Sequence, residues 1–142
     1  MTEIRVTTDP SELEIDTIHR FLSQESAWAR GIPLPLVRES IENSLNFGLF
    51  VGGKQAAYAR VVTDHATFAY LLDVFVLSEY RGQGLSRQLM ASVIAHPSTR
   101  KVRRFLLVSS TSRGLYEKFG FAPLKKPETF MEINVADPHG KA

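Results

Sequence analysis

The sequence predicts an α/β fold in which a mixed sheet carries helices on both faces. Three observations support this prediction. Short apolar segments of strand length recur along the chain, two segments place apolar residues at helical spacing, and one long apolar strand runs directly into a glycine-containing loop and a helix. The predicted elements follow the order β-αα-βββ-α-β-α-ββ, which suits a mixed sheet flanked by helices. With 142 residues and no linker rich in Pro, Gly or Ser, residues 1–142 are predicted to form a single domain.

The first part of the chain predicts a short strand and two helices. The strand Ile4–Thr8 precedes Asp9-Pro10-Ser11, a combination typical of a helix start. A second, short helix is predicted over Leu36–Asn43, after a loop that contains two prolines. The first helix is indicated by apolar residues at helical spacing: Leu13, Ile15, Ile18, Phe21 and Leu22.

The middle of the chain predicts three consecutive strands. Leu45–Val51 ends at Gly52-Gly53, which is a hairpin signal, and Lys54–Thr63 is the returning strand. The third strand, Thr67–Leu77, is apolar on both faces, as is typical of a strand at the centre of a sheet.

The last part begins with an amphipathic helix that Pro97 ends. A buried strand is predicted over Arg103–Val108, followed by a short helix over Ser112–Phe119 that closes at Gly120 in a left-handed cap. Two further strands complete the predicted order: Phe121–Leu124 and Phe130–Val135.

Composition excludes several classes of protein. Hydrophobic residues make up 44% and charged residues 23%, which argues against a disordered chain and against a membrane protein. There is no cysteine, so disulfides, thiolate nucleophiles and cysteine metal sites are excluded. Because the N-terminal sequence lacks the apolar stretch of a secretory signal, the expected location is cytoplasmic.

Charge is unevenly distributed along the chain. Residues 1–70 hold 6 Lys and Arg against 9 Asp and Glu, whereas residues 71–142 hold 11 against 6. A basic second half suits a poly-anionic ligand, which could be a phosphorylated cofactor or a nucleic acid. An ordinary solvated surface with uneven charge would give the same counts.

The loop Arg81–Ser86 is the sharpest local signal. Its two glycines let the backbone approach a ligand closely, and the first amides of the following helix have no acceptor within the helix. Such a helix start favours a pyrophosphate, to which Arg81 and Arg87 add positive charge. A tight strand-to-helix turn without a ligand would use the same glycines.

Two other phosphate motifs do not fit. A Walker loop needs a Lys directly after its last glycine, and none follows Gly84. A dinucleotide fingerprint needs a third glycine where Arg87 stands, and an acidic residue near Arg103 and Arg104. Neither ATP nor NAD is therefore favoured.

The segment VFVLSEYRGQGLS resembles the acyl-CoA signature of the GNAT superfamily of N-acetyltransferases, Q/R-x-x-G-x-G/A. Arg81 and Gly84 match this signature, and Ser86 stands where the family usually has Gly or Ala. A second segment, GLYEKFGF at Gly114–Phe121, resembles the family's Y-x-K-x-G-F segment. The two motifs occur in the family's order, about 30 residues apart, and the order of elements matches as well. The resemblance therefore covers nearly the whole chain.

This resemblance implies a GNAT-like sheet and transfer of an acetyl group from acetyl-CoA to a primary amine, by direct attack and without a metal. It implies that the backbone of three residues pairs with the pantetheine arm: Phe75, Val76 and Leu77. It also implies that the phosphates are bound by the loop and helix start: Arg81, Gly82, Gln83, Gly84, Leu85, Ser86 and Arg87. The linker SSTSR lacks the Asn that the family often has there. Homodimers are common in the family.

Two residues are candidates for catalysis. Tyr116 matches the family tyrosine that faces the thioester sulfur, which implies a role as the acid, although packing beside Leu115 and Phe119 would also account for it. Asp73 is the only acidic residue within the central apolar strand, where an unpaired carboxylate would be costly. It is either the base, the partner of a nearby Arg, or the cap of a bulge.

The acceptor amine is not identified by the sequence. Trp28 lies in the loop between the first two helices, where the family commonly builds its acceptor pocket, although core packing explains it equally well. His19 and His65 are weaker candidates for the base, and Arg30 is a weaker candidate for binding an acidic acceptor. A small-molecule amine and a protein amine both remain open as the acceptor.

Two other functions stay open at this point. An acyl-CoA-binding sensor domain would have the same fold and loop without turnover. A nucleic-acid-binding module would use the basic second half and would show strongly salt-dependent binding, but no helix-turn-helix or aromatic RNA motif is evident.

Overall fold

A five-stranded sheet runs through the protein, and its strands lie side by side in the order in which the chain forms them. The computed structural model describes residues 2–139. The strands are β1 (Ile4–Thr7), β2 (Leu45–Val51), β3 (Lys54–Thr63), β4 (Phe68–Val76) and β5 (Arg104–Leu107). The pairs from β1 to β4 are antiparallel and the pair β4–β5 is parallel, so the predicted mixed sheet is confirmed.

Helices lie on both faces of this sheet, as predicted. They are α1 (Ile15–Arg20), α2 (Leu34–Glu42), α3 (Leu85–Ala95), α4 (Pro97–Arg100) and α5 (Arg113–Glu117). A π-helical turn over Phe21–Glu25 continues α1, and a short 3-10 turn over Pro10–Glu12 precedes it. The Asp9 side chain caps that 3-10 turn by accepting a hydrogen bond from the Ser11 amide at 3.0 Å.

The core has two parts because residues of a strand alternate between the two faces of the sheet. Ala57 and Ala59 of β3 face α3, whereas Tyr58 between them faces α1 and α2. The first part contains four buried residues of α3: Leu85, Leu89, Met90 and Val93. The second contains buried residues of α1, the π-helical turn and α2: Ile18, Phe21, Leu22, Val37 and Ile41. Burying each such side chain contributes about 1.5–3 kcal/mol.

Strands β4 and β5 separate part of the way along their length. Their pairing runs from Phe68 opposite Arg104 to Leu71 opposite Leu107, and β4 then continues to Val76. A β-bulge lies just beyond this point, because the register between β3 and β4 shifts there and Asp73 has a φ of 56°. Bulges bend a strand and increase its twist. The end of β4 is thereby left with an open side.

The C-terminal part differs from the sequence prediction. The segments Phe121–Leu124 and Phe130–Val135 were predicted to be strands, but neither forms one. Within residues 2–139 neither segment joins the sheet, although β5 is an edge strand, and Met131, Ile133 and Val135 are 96%, 99% and 66% exposed. The alternating pattern is compatible with a strand, but alternation alone does not bring a segment to a sheet edge. The predicted cap at Gly120 is confirmed by its φ of 97°.

Across residues 2–139, every helix is too short or too polar to cross a membrane.

Candidate active site

A cleft of about 280 Å³ opens where β4 has lost its partner. One wall is the end of β4, the floor is the loop before α3, and the opposite wall is α5. The lining residues are Val74, Phe75, Val76, Tyr80, Arg81, Gly82, Gly84, Leu85, Ser86, Ser112, Leu115 and Tyr116. The structure thus brings both sequence motifs, which are distant in the chain, to the same cleft.

The loop presents backbone amides to this cleft. Gly82 and Gly84 have φ angles of 79° and 76°, and a Cβ added to either would have no heavy atom within 4 Å. The Gln88 amide bonds to the Gly84 carbonyl at 3.2 Å and so begins the hydrogen bonding of α3. The amides before it have no acceptor within the helix, and the helix dipole adds positive potential. An anion fits this position.

The charged residues of the loop are arranged around this opening. The Arg81 Nε donates a hydrogen bond to the Val76 carbonyl at 2.9 Å, which holds the guanidinium at the edge of the cleft. Gln83 and Arg87 are exposed and lie outside the cleft lining. They remain available to a ligand that extends beyond the cleft.

At the end of β4, the backbone groups point in alternating directions. The Leu77 amide donates to the Ala56 carbonyl at 2.9 Å, and the Leu77 carbonyl accepts from the Tyr80 amide at 2.9 Å. Leu77 is therefore engaged within the protein and does not line the cleft. The Val76 amide points to the other side of the strand, toward the cleft. The Phe75 ring stacks on the Phe21 ring, with 4.0 Å between the ring centroids.

Tyr116 lies on α5 and is 8% exposed. Its ring meets the Phe121 ring edge-on, with the centroids 6.1 Å apart. Burial raises the pKa of the Tyr116 hydroxyl above its usual value of 10.0. The hydroxyl therefore keeps its proton at neutral pH and can donate a hydrogen bond at the cleft.

Asp73 and Trp28 meet on the α1 and α2 side of the sheet, outside the cleft lining. The Trp28 Nε1 donates to one carboxylate oxygen of Asp73 at 2.8 Å, and the Arg60 Nε donates to the other at 2.8 Å. Arg60 also donates to the Ser44 hydroxyl at 3.0 Å. The Asp73 side chain is only 9% exposed, so a paired rather than a free carboxylate is expected. Arg60 was not among the residues predicted from the sequence, because no local motif marks it.

The side chains of the weaker candidates form hydrogen bonds away from the cleft. His19 is in hydrogen-bond contact with the Ile32 carbonyl at 3.0 Å, and His65 is in contact with the Ser98 hydroxyl at 2.7 Å. Arg30 donates to the Gln24 carbonyl at 3.1 Å. None of the three lines the cleft. Over residues 2–139, no cluster of three or more His, Asp or Glu residues has the arrangement of a metal site.

Comparison with known families agrees with this geometry. The model of a family described as the acetyltransferase (GNAT) domain matches residues 6–135. The chain belongs to the GNAT family of acetyltransferases. The resemblance drawn from Arg81–Ser86 and Gly114–Phe121 is thereby confirmed.

Individual relatives extend the comparison. A solved structure of a GNAT-family protein from Xanthomonas campestris pv. campestris is 50% identical, covers 98% of both chains and has a TM-score of 0.95. A candidate acetyltransferase of Gibberella zeae is 29% identical over an alignment of 133 residues, with coverage of 80% of this chain and 75% of that protein. A structure determined with acetyl-CoA from Clostridium acetobutylicum has a TM-score of 0.65 and 16% identity, covering 94% of this chain and 96% of that one. At that identity, the last comparison shows the fold alone.

Proposed function

We propose that this protein transfers the acetyl group of acetyl-CoA to a primary amine by direct attack. The observation that supports this proposal best is the cleft, where the open side of β4, the start of α3 and Tyr116 converge. The three features match the three parts of acetyl-CoA: an extended pantetheine arm, a pyrophosphate and a thioester.

The pyrophosphate would bind at the start of α3. The amides of Leu85, Ser86 and Arg87 precede the first bond within the helix, so they are free to donate to phosphate oxygens. The open space at Gly82 and Gly84 supports this assignment, since any side chain there would occupy the position of the phosphates. Arg81, Gln83 and Arg87 would contact the outer oxygens.

The pantetheine arm would run along the open side of β4. The amides of the pantetheine arm can pair with the edge of β4 as an added strand would. The Val76 amide points into the cleft and would also stabilise the oxyanion that forms during attack. Because the groups of Leu77 are already bonded, and those of Phe75 point to the same side of the strand toward β3, the Val76 amide would provide the backbone contact.

The chemical step forms a C–N bond and breaks the C–S bond of the thioester. The attacking amine must be neutral, although a lysine-like amine has a pKa near about 10.4. The leaving thiolate, with a pKa near about 8.5 if it behaves like cysteine, takes up one proton. Tyr116 would donate a hydrogen bond to the sulfur as negative charge develops on it, because its raised pKa keeps it protonated.

Asp73 and Trp28 would belong to the acceptor side. Both Asp73 oxygens already accept a hydrogen bond, so an amine proton would reach a remaining lone pair directly or through water. Trp28 is 53% exposed while its indole is anchored to Asp73, which suits a pocket wall. Asp73→Asn should preserve CoA binding and raise KM for the amine. If the kinetics with the amine were unchanged, Asp73 would not belong to the acceptor site.

The proposal is tested by incubating the protein with acetyl-CoA and a panel of primary amines while following thiol release. CoA binding is measured separately by thermal shift. A ligand that binds only the folded state stabilises it by about 2.7 kcal/mol at 100 times its Kd. Turnover with at least one amine is expected. No thermal shift at millimolar CoA, with the protein folded, would contradict the proposal.

An acyl-CoA-binding sensor is the second candidate. The pairing of Asp73 with Arg60 favours it, since this carboxylate is already engaged within the protein. A sensor would show the CoA-induced thermal shift but no thiol release with any amine.

A further inference from the structure

The guanidinium of Arg60 keeps hydrogen-bond donors that the protein does not use. Its Nε donates to Asp73 at 2.8 Å and its Nη1 donates to the Ser44 hydroxyl at 3.0 Å. In a two-bond pair with a carboxylate, Nη2 would donate to the second Asp73 oxygen, but Trp28 occupies that oxygen instead. Within residues 2–139, Nη2 of Arg60 therefore has no hydrogen-bond partner, although the Arg60 side chain is only 14% exposed.

This Nη2 faces solvent. Among the described residues, every buried polar side-chain atom has a hydrogen-bond partner, so the unpartnered Nη2 is not one of the buried atoms. A guanidinium that is held by two bonds and open on one side is already oriented for an anion, and a carboxylate or phosphate matches its planar geometry. The open side of Arg60 therefore indicates a ligand with a negatively charged group.

A row of aromatic rings connects this ion pair to the cleft. The centroid of the Trp28 ring is 6.3 Å from that of the Phe21 ring, and the Phe21 ring stacks on Phe75, which lines the cleft. In the chain, Asp73 is followed directly by Val74, which also lines the cleft. The ion pair therefore lies next to the cleft on the side of the sheet where the acceptor is proposed to bind.

We propose that the acceptor is an α-amino acid, which places its amino group at Asp73 and its carboxylate at Nη2 of Arg60. This inference rests on the proposed function. Nε and Nη2 belong to one planar guanidinium and Nε is bonded to Asp73, so the ligand must carry its amine and its anion close together. An α-amino acid meets this requirement, and its two charges then alternate in sign with those of the ion pair. An amine without a carboxylate would bring a positive charge next to Arg60 with no anion to offset the repulsion.

The sheet surface beside Arg60 favours an apolar side chain on this amino acid. Leu72 lies opposite Arg60 and Tyr70 lies opposite Val62, so the four residues share one face of the sheet. The residues that alternate with them pack on the other face, toward α3. Val62 is 41% exposed, and Tyr70 and Leu72 are half-buried. An apolar side chain of the acceptor would cover this surface.

The first test compares acceptors that differ in the carboxylate. Leucine carries it, leucinamide replaces it with an uncharged amide, and isopentylamine lacks it. Thiol release at a fixed concentration of acetyl-CoA gives kcat/KM for each amine. Leucine should exceed both analogues by about 100-fold or more, because a site that binds a charged group rejects analogues that leave its donor unpaired. Aspartate should be poorer than leucine by about 10-fold or more, since its second carboxylate would lie on the apolar surface.

Arg60→Lys tests whether Arg60 itself recognises the carboxylate. Lysine keeps a positive charge beside Asp73 but lacks the planar fork and its Nη2. The ratio of kcat/KM for leucine to kcat/KM for leucinamide should fall by about 10-fold or more, mainly through a higher KM for leucine. If Arg60 only supported the fold, both acceptors would lose the same factor and the ratio would not change. Arg100→Lys is the matched control, because Arg100 is exposed on α4 and lies outside the cleft lining, and it should leave the ratio unchanged.

Failure of this inference differs from failure of the proposed function. Leucinamide, isopentylamine or aspartate turned over as efficiently as leucine would overturn the inference and leave acetyl transfer to amines in place. An unchanged ratio in Arg60→Lys, with the variant shown to be folded by circular dichroism, would do the same. A protein that acetylates no amine of the panel would contradict the proposed function and the inference together.

Discussion

Residues 45–95 and residues 121–135 show how differently similar sequence patterns behave. Strands β2 and β3 in the first region have partners on both sides, and α3 covers one face, so Ala57 and Ala59 are completely buried. In the second region, residues 131–135 alternate apolar and polar side chains, yet Ile133 is 99% exposed. Alternation determines which residues share a face of a strand. It does not determine whether that segment joins the edge of a sheet.

The candidate active site lies at the boundary between these two regions. Its β4 wall and its loop belong to residues 45–95, where Gly82 and Gly84 lie between β4 and α3. Its Tyr116 wall belongs to α5, which is followed directly by the exposed region. Binding of acetyl-CoA is therefore expected to depend on the first region. The position of Tyr116, and with it the proposed role of Tyr116 in catalysis, is expected to depend on both regions.

Measurements of stability test the difference between the two regions most directly. Leu89 is completely buried against the sheet, so Leu89→Ala should lower the free energy of unfolding by about 2–5 kcal/mol. Ile133→Ala should change it by less than about 0.5 kcal/mol, because Ile133 is 99% exposed. Urea unfolding of both variants gives the two values. A similar loss in both would mean that Ile133 already packs within its own chain.

Tyr116→Phe tests the wall of the cleft that α5 forms, next to residues 121–135. If Tyr116 donates to the leaving thiolate, kcat should fall by about 100-fold, which equals about 2.7 kcal/mol. Affinity for CoA should change little because the ring still packs against Phe121. Steady-state kinetics with the best amine and a CoA titration provide both quantities. If Tyr116→Phe retained full turnover, the role of Tyr116 would be purely structural.

A smaller effect is expected at His96, where burial and the nearby His65 lower the pKa of the imidazole. The unfolded chain then binds a proton more readily than the folded one. The stability contribution is therefore present above about pH 6.5 and is lost as the pH falls below it. His96→Asn removes this titration and retains a side chain that can cap α4 in place of the present bond to the Ser98 amide. Urea unfolding at pH 7.5 and 5.5 should show a smaller pH difference for the variant than for the wild type.

The sequence predicted those features of the fold and site that depend on short stretches of chain. The loop Arg81–Ser86 was predictable because its glycines and the following helix are local signals. The pair Arg60–Asp73 was not, because it depends on the register of β3 against β4 and on the bulge. The same shift decides which amides of β4 face the cleft, so the internal bonds of Leu77 could not be foreseen. The last two predicted strands do not form, because an alternating pattern does not encode whether a segment pairs with a sheet edge such as that of β5.

The central claim is that the start of α3 binds the phosphates of acetyl-CoA, and two glycine variants test it most directly. Gly84 and Gly53 have φ angles of 76° and 85°, and neither has a heavy atom within 4 Å of an added Cβ. Alanine should therefore cause a similar strain of about 1–2 kcal/mol at both positions. The thermal shift produced by millimolar CoA should survive in Gly53→Ala and be lost or greatly reduced in Gly84→Ala. Equal shifts in the two variants would contradict binding at this loop.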